Sequence, residues 1–577
     1  MNASFAKESE NTLRDPAIVM APTRLGAMHQ TRISFVRSLI RKMATENWKV
    51  SQALWKMSDK GFGTAVYELE ASYDTYQLVV FSDAIADEDR NDRVIAEKWD
   101  VTFALIRGRA DMSTIEQLRQ NVPLQEAGRN SSRVLVLARA NKSVRVFEHL
   151  VSSLAQGEQP NTAEIARVGY ILRTTAVYGN GKFGIADFET LQSNEDFNLT
   201  FSAQMCAVYI LRQFSLDWVE YIAKQRGGEK ASTICPELKR YLGIGNATGL
   251  GMAPYLIRHP RVVDRWLSQR EMALAAACSQ SVNEESTNRV CGLLKKAQRH
   301  FEQIITINEQ QQALNMECIA QIPALMTRIR QQFSPFNTWG DVLDSASDLS
   351  LETQEVLATC IMEIFPECVD RFINKLNTDE SLSLDPGISV KDMLEVMETR
   401  YRWAIDIDFT EPENKYWFWY RSQDKEEPRM GVRGQEPGEE RELPLDIGRQ
   451  VSKLYAALQQ ADPSLSLAHF LLSNPSHRVI SRRVWTMAQQ PMGDIQMNVL
   501  SERALPMHLL RCKLSMFGAT KFDPRSDRWV RVTLFQGAPL VSDLAAKRFE
   551  ESWLFPLMPC TECEVTALAT CKRGGMA

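Results

Sequence analysis

Two glycine-rich stretches carry the residues best suited to binding chemistry: Tyr178-Gly-Asn180-Gly-Lys182-Phe-Gly184 and Gly243-Ile-Gly-Asn246-Ala-Thr248-Gly249-Leu-Gly251-Met-Ala-Pro254. Glycine is costly inside helices and is used where the backbone must lie against something that a Cβ would block. In the first stretch the chain is expected to leave a helix through a glycine cap and present Asn180 and Lys182 on a turn. Lys182 there could hold an anion or move a proton. Gly518-Ala-Thr-Lys521-Phe522 repeats the G-x-x-K-F pattern, which makes Lys521 a second candidate cation.

The second stretch reads G-x-G-x₃-G-x-G, which is not the dinucleotide fingerprint G-x-G-x-x-G, and the preceding 236–242 reads as helix where a strand is required. No GK[ST] follows, so a phosphate-cradling P-loop is excluded as well. What remains is a loop with free backbone N–H groups and the side chains of Asn246 and Thr248, with a helix expected to begin near Thr248. Such a helix start suits a carboxylate or phosphate, with Gly249 and Gly251 letting it approach. The plainer reading is a tightly packed helix connection.

A third cluster is expected on a helix after Ser132, where Asn141, Arg145 and Glu148 share a face by i, i+4, i+7 spacing, with Lys142 and His149 at its margin. His259, before Pro260, is a candidate general base near neutral pH. Lys182 and His259 are therefore the catalytic candidates. Arg145, Asn141, Asn180, Asn246, Thr248, Gly249, Gly251 and Lys521 are the substrate-binding ones. Solvation, capping or core packing accounts for each of them equally simply. The aromatic run Tyr416–Tyr420 reads as core or as a pocket wall. No Ser–His–Asp context, histidine-rich metal motif or kinase signature is visible.

Composition narrows the classes. The 577 residues are 44% hydrophobic and 24% charged with a net charge of −5, which is globular and without the basic stripe that nucleic-acid binding needs. The longest apolar runs, such as Met272–Cys278, fall far short of the ~20 residues that span a bilayer. No secretory leader is apparent, so a cytoplasmic protein is expected, with no membrane partner. Eleven cysteines read as reduced thiols. Cys560, Cys563 and Cys571 give three ligands near one another where a closed metal site needs four, so no metal and no defined cofactor is assigned.

Around these candidates the apolar period implies a helix over 30–46 and then a change to period 2. Strands are expected at 49–57, around Tyr67 and Leu69, at 77–81 and over 99–106, joined as an antiparallel meander, and a last strand over 528–535 is expected to return to it. Helices are expected over 132–155, 162–177, 202–225, 260–278, 351–375, 390–404 and 444–460. The pattern over 283–332 is expected to break in two where its seam meets Asn308, Gln311 and Asn315. The charged segment 424–442 reads as a surface loop, a lid or a partner contact.

The fold class expected is α+β, predominantly α-helical, with a small antiparallel β-meander near the N-terminus. The domains expected are 1–110, 111–280, 281–420 and 421–577. The function expected is a cytosolic enzyme acting on a small anionic, carboxylate- or phosphate-bearing metabolite, with a lyase or transferase mildly preferred and homo-oligomers allowed. The alternative is a helical scaffold or interaction protein without catalysis.

Overall fold

The computed structural model describes residues 13–21, 24, 29–86, 99–121, 131–174, 194–199, 201–249, 259–331, 338–376, 382–385, 387–411, 447–494, 511–512, 514–524, 529–545 and 553–559. The chain forms two compact units, each assembled from three stretches: Met1–His29, Gly249–Thr287 and Gln332–Ser515 in one, Gln30–Thr248, Asn288–Gln331 and Met516–Ala577 in the other.

The second unit is organised by one sheet of nine strands: β1 Lys49–Met57, β2 Gly63–Glu70, β3 Thr75–Ser82, β4 Val101–Arg107, β5 Val134–Lys142, β6 Tyr170–Thr174, β7 Gly243–Gly249, β8 Ala519–Pro524 and β9 Trp529–Leu534. Their spatial order is β1-β2-β3-β4-β5-β6-β7-β9-β8. This corrects the expected small N-terminal meander: β1 to β4 are there, but as less than half of a large mixed sheet that draws strands from across the chain. β6 and β7 are parallel. A parallel pair needs a long crossover, and the 26-residue helix Ser202–Gly227 lies within it.

Two helical expectations fail for one reason. Val134-Leu-Val-Leu-Ala138 is a strand, not the first turns of a helix over 132–155, and only Val146–Ala155 is helical. Likewise 162–177 divides into the helix Thr162–Ala166 and strand β6. Strands buried on both faces read as continuous apolar runs, which periodicity alone does not separate from buried helix. In β4 all residues from Val101 to Ile106 are buried. One face packs Val79, Phe81, Ala104, Ile106 and Val134 against Ile115 and Leu118 of the helix Met112–Asn121. Against the helix Ser202–Gly227, Trp55 and Tyr67 meet Phe214 at ring separations of 6.0 and 6.4 Å.

The expected break over 283–332 is present, between the helices Glu284–Gln303 and Glu309–Gln331. Asn308 stops the chain there, because its side chain accepts from Gln311 N at 2.9 Å as an N-cap does. Gln311 and Asn315 then form a buried polar layer, 2.9 Å apart, in a seam continued by Cys318, Ile322, Leu325 and Ile329.

The other unit is helical, built mainly from Pro260–Cys278, Leu351–Ile364, Val390–Arg400, Ile447–Gln459 and Arg478–Ala488. Local chemistry sets the helix starts: Pro260 occupies the first turn, Ser350 accepts from Thr353 N, and Ser389 with Asp392 makes a capping box. The helices Pro260–Cys278 and Leu351–Ile364 are buried around most of their circumference.

Candidate functional site

In the helical unit, charged side chains occupy positions that a hydrophobic core would normally fill. On the helix Leu351–Ile364, Glu352, Glu355, Thr359 and Glu363 recur at i, i+3, i+7, i+11 and so share one face, and all are buried. On Pro260–Cys278, Asp264, Ser268 and Glu271 share a face in the same way, with Arg270 beside them, and these too are buried.

The two faces meet in an arginine–glutamate centre. Arg14 donates from Nε and Nη2 to both oxygens of Glu271 at 2.7 Å, and from Nη1 to Glu355 at 2.8 Å. Arg24 also donates to Glu355, and reaches Gln354 Oε1 at 3.2 Å. Arg270 bridges Glu271 and Glu355 with its two terminal nitrogens. Three guanidiniums thus converge on the single carboxylate of Glu355, whose side chain is 0% exposed, and Arg14 at 22% is the part nearest solvent. Burial alone would push the Glu355 carboxyl up, but the charges of Arg14, Arg270 and Arg24 outweigh it and hold the group well below the usual carboxylate range. Burial likewise disfavours charged Arg14, and Glu355 and Glu271 reverse that.

These five side chains carry three positive charges and two negative ones. A buried charge without a counter-charge costs several kcal/mol, and among the described residues the centre carries one surplus positive charge, with Arg14 its partly exposed member. It also has donors to spare, since a guanidinium offers five N–H groups and the carboxylates use fewer than half of those available. One turn along, Glu352 accepts from Arg511 at 2.8 and 3.0 Å and pairs with His29 at 2.8 Å. At the far end of the Pro260–Cys278 face, Asp264 accepts from Met492 N at 2.8 Å, and burial pushes its carboxyl up to about 6.

The residues singled out from sequence fall elsewhere. Lys182, Asn180 and Gly251 lie outside the described residues, as do Cys560, Cys563, Cys571, Tyr416–Tyr420 and the segment 424–442. Asn141 is on β5, not on a helix, and its side chain accepts from Asp100 N at 3.1 Å. Arg145 is exposed, just before the helix Val146–Ala155, and makes no side-chain capping bond. Lys521, on β8, is buried and donates to Ala166 O at 2.7 Å.

The second glycine stretch is strand β7, not a loop opening a helix near Thr248, and Thr248 and Gly249 are its last residues. Asn246 is buried and donates to Thr174 O at 2.5 Å. The register sets Arg173 of β6 beside both Asn141 and Gly245, so Asn141 and the β7 residue next to Asn246 flank the end of one strand. Gly243 and Gly245 of β7 have packing roles. A Cβ on Gly243 would stand 2.3 Å from Leu534 O, and one on Gly245 would stand 2.4 Å from the Tyr170 ring. His259 belongs to the helical unit, at the N-cap of Pro260–Cys278, without a side-chain capping bond.

The sheet unit has a cleft of about 340 Å³ lined by Gln52, Tyr67, Gln213, Asp217, Lys239 and Ser542 among others. Tyr67 and Gln213 donate to the two oxygens of Asp217 at 2.6 and 2.8 Å. Burial raises the carboxyl of Asp217, and Lys239 is paired with Glu220 at 2.8 Å. The two charged groups lining this cleft, Asp217 and Lys239, are thus already paired, in contrast to the arginine centre.

No family model, curated protein or solved structure matches the chain. Among the described residues no helix is long and apolar enough to cross a membrane, and no group of three or more His, Cys, Asp or Glu is placed to hold a metal ion.

Proposed function

We propose that the protein is a cytoplasmic enzyme acting on a small anionic metabolite, whose carboxylate or phosphate is held at the Arg14–Arg24–Arg270 centre. The observation that carries this reading is the excess positive charge of that buried centre, with Arg14 on its solvent side. Arginine suits the task, being always charged and presenting paired donors in a fixed plane. Asp264 is the proton-transfer group of this reading. It stands on the face of Glu271 two helical turns away, about 10 Å along the axis, and a carboxyl titrating near 6 has both forms present close to neutral pH.

Thermal unfolding followed during titration with phosphate and malonate tests this. Binding to the folded chain raises the midpoint, by an amount equivalent to about 2.7 kcal/mol at a hundredfold excess over Kd. Arg14→Gln is expected to abolish most of the rise, while Arg226→Gln, at an exposed ion pair with Glu148, retains it. Equal responses from both variants, or none from the unaltered chain, refute the proposal.

A further inference from the structure

In the centre and three to four residues from its glutamates along the same helices are three buried polar atoms that no group among the described residues satisfies: Arg270 Nε, Ser268 Oγ and Thr359 Oγ1. Their residues are 0, 6 and 0% exposed, respectively. Ser268 precedes Glu271 by three residues and Thr359 follows Glu355 by four, so each hydroxyl is on the helix face that carries the glutamate. Those two glutamates are in turn gathered by the same two arginines, Arg14 and Arg270. All three unsatisfied atoms can donate. An ordered water could satisfy them but would leave the surplus positive charge in place, whereas an anion answers both needs.

We infer that the group seated here is a tetrahedral phosphoryl group, bound by Arg270 Nε–H and the Ser268 and Thr359 hydroxyls, with Arg14 and Arg24 contributing their unused N–H groups. This inference rests on the anion-binding reading above and narrows it to one chemical class. A planar carboxylate offers two oxygens in one plane. A phosphoryl group offers three terminal oxygens pointing in different directions, and the donors here belong to three separate pieces of chain, two helices and the residues Arg14 and Arg24. Recognition is then of a phosphate monoester, whose remaining substituent leaves along the side of Arg14, the member of the centre with exposed side-chain surface.

Calorimetric titration of the full chain with inorganic phosphate and with acetate tests the assignment. Phosphate is expected to bind more tightly than acetate. Thr359→Val, which keeps the shape and removes the hydroxyl, and Ser268→Ala should each weaken phosphate about tenfold or more, as befits a hydrogen bond to a charged group. Neither should lower the thermal midpoint of the ligand-free chain, since each removes an unsatisfied buried hydroxyl. Phosphate affinity unchanged in both variants but reduced by Arg14→Gln overturns the seat and leaves the anion reading standing. Acetate binding as tightly as phosphate overturns the phosphoryl assignment. Absence of binding by either anion removes both readings together.

Discussion

Asp264 and Glu355 sit in the same helical unit and are shifted in opposite directions, so they impose opposite pH dependences on its stability. Asp264 holds its proton more tightly when folded, up to about 6. Its contribution is therefore complete below the unfolded carboxyl range and is lost as pH rises through 6. Asp264→Asn should raise the unfolding free energy at pH 7.5 by on the order of 2 kcal/mol and have little effect at pH 4, measured by urea denaturation at each pH. Glu355 is depressed, so its contribution is present above the ordinary carboxyl pKa and is lost as pH falls. Glu355→Ala, which takes the carboxylate from Arg24 and leaves Arg14 and Arg270 sharing Glu271, should cost about 3–5 kcal/mol at pH 7. A loss below 1 kcal/mol in denaturant titration would show that the pairs are not coupled as described. At this scale little of the site was legible. Arg14, Arg24, Arg270, Glu271 and Glu355 belong to no motif. The available signal was the repetition of Glu352, Glu355, Thr359 and Glu363 along a helix whose other positions are apolar, a pattern that an ordinary solvated face also produces.

Strand β7 shows how one element can carry a chemical signature without chemical use. Its glycines suggested a ligand loop, yet Gly243 lies under Leu534 O and Gly245 against Tyr170. Gly245→Ala forces a methyl group into the Tyr170 ring and should destabilise the sheet unit by about 1–3 kcal/mol through overpacking. The expected signature is a lower urea midpoint with an unchanged denaturant slope. A neutral result would mean that β6 and β7 can separate at no cost. The period-2 signal identified β1 to β4 and β9 correctly, because alternation and turn residues are local. β5 to β8 were missed: β5 and β6 open as continuous apolar runs, β7 is rich in glycine, which is depleted in strands, and β8, Ala-Thr-Lys-Phe-Asp-Pro, has no apolar alternation. The break at Asn308 was readable for the converse reason: a capping residue followed by polar seam positions is itself a local signal.

Across the whole molecule, neither unit is a continuous length of chain. Sequence reading divides the chain into consecutive blocks; the alternation over 528–535 marks β9 as returning to the early strands, but nothing in the pattern announces that β8 follows it at the edge of the sheet. It follows that a chain ending at Thr248 has β1 to β7, including β6 beside β7, but not β9, the neighbour of β7 on its other side. We expect such a fragment to be insoluble, or to lack the cooperative unfolding of the full protein, as judged by circular dichroism. Supplying residues 516–577 in trans should restore folded protein if strand pairing alone is missing. The same topology sets a schedule during synthesis. Roughly 280 residues separate Gly249 from Trp529, and at about 5–20 residues per second the ribosome needs some 14–56 s to make them. Throughout that interval β7 is an open edge, the kind that recruits stray strands from other chains. A strand reading Gly-Ile-Gly-Asn-Ala-Thr-Gly is a poor template for such pairing, so the glycines that fit β7 under β9 also keep nascent chains from adhering to one another while they wait.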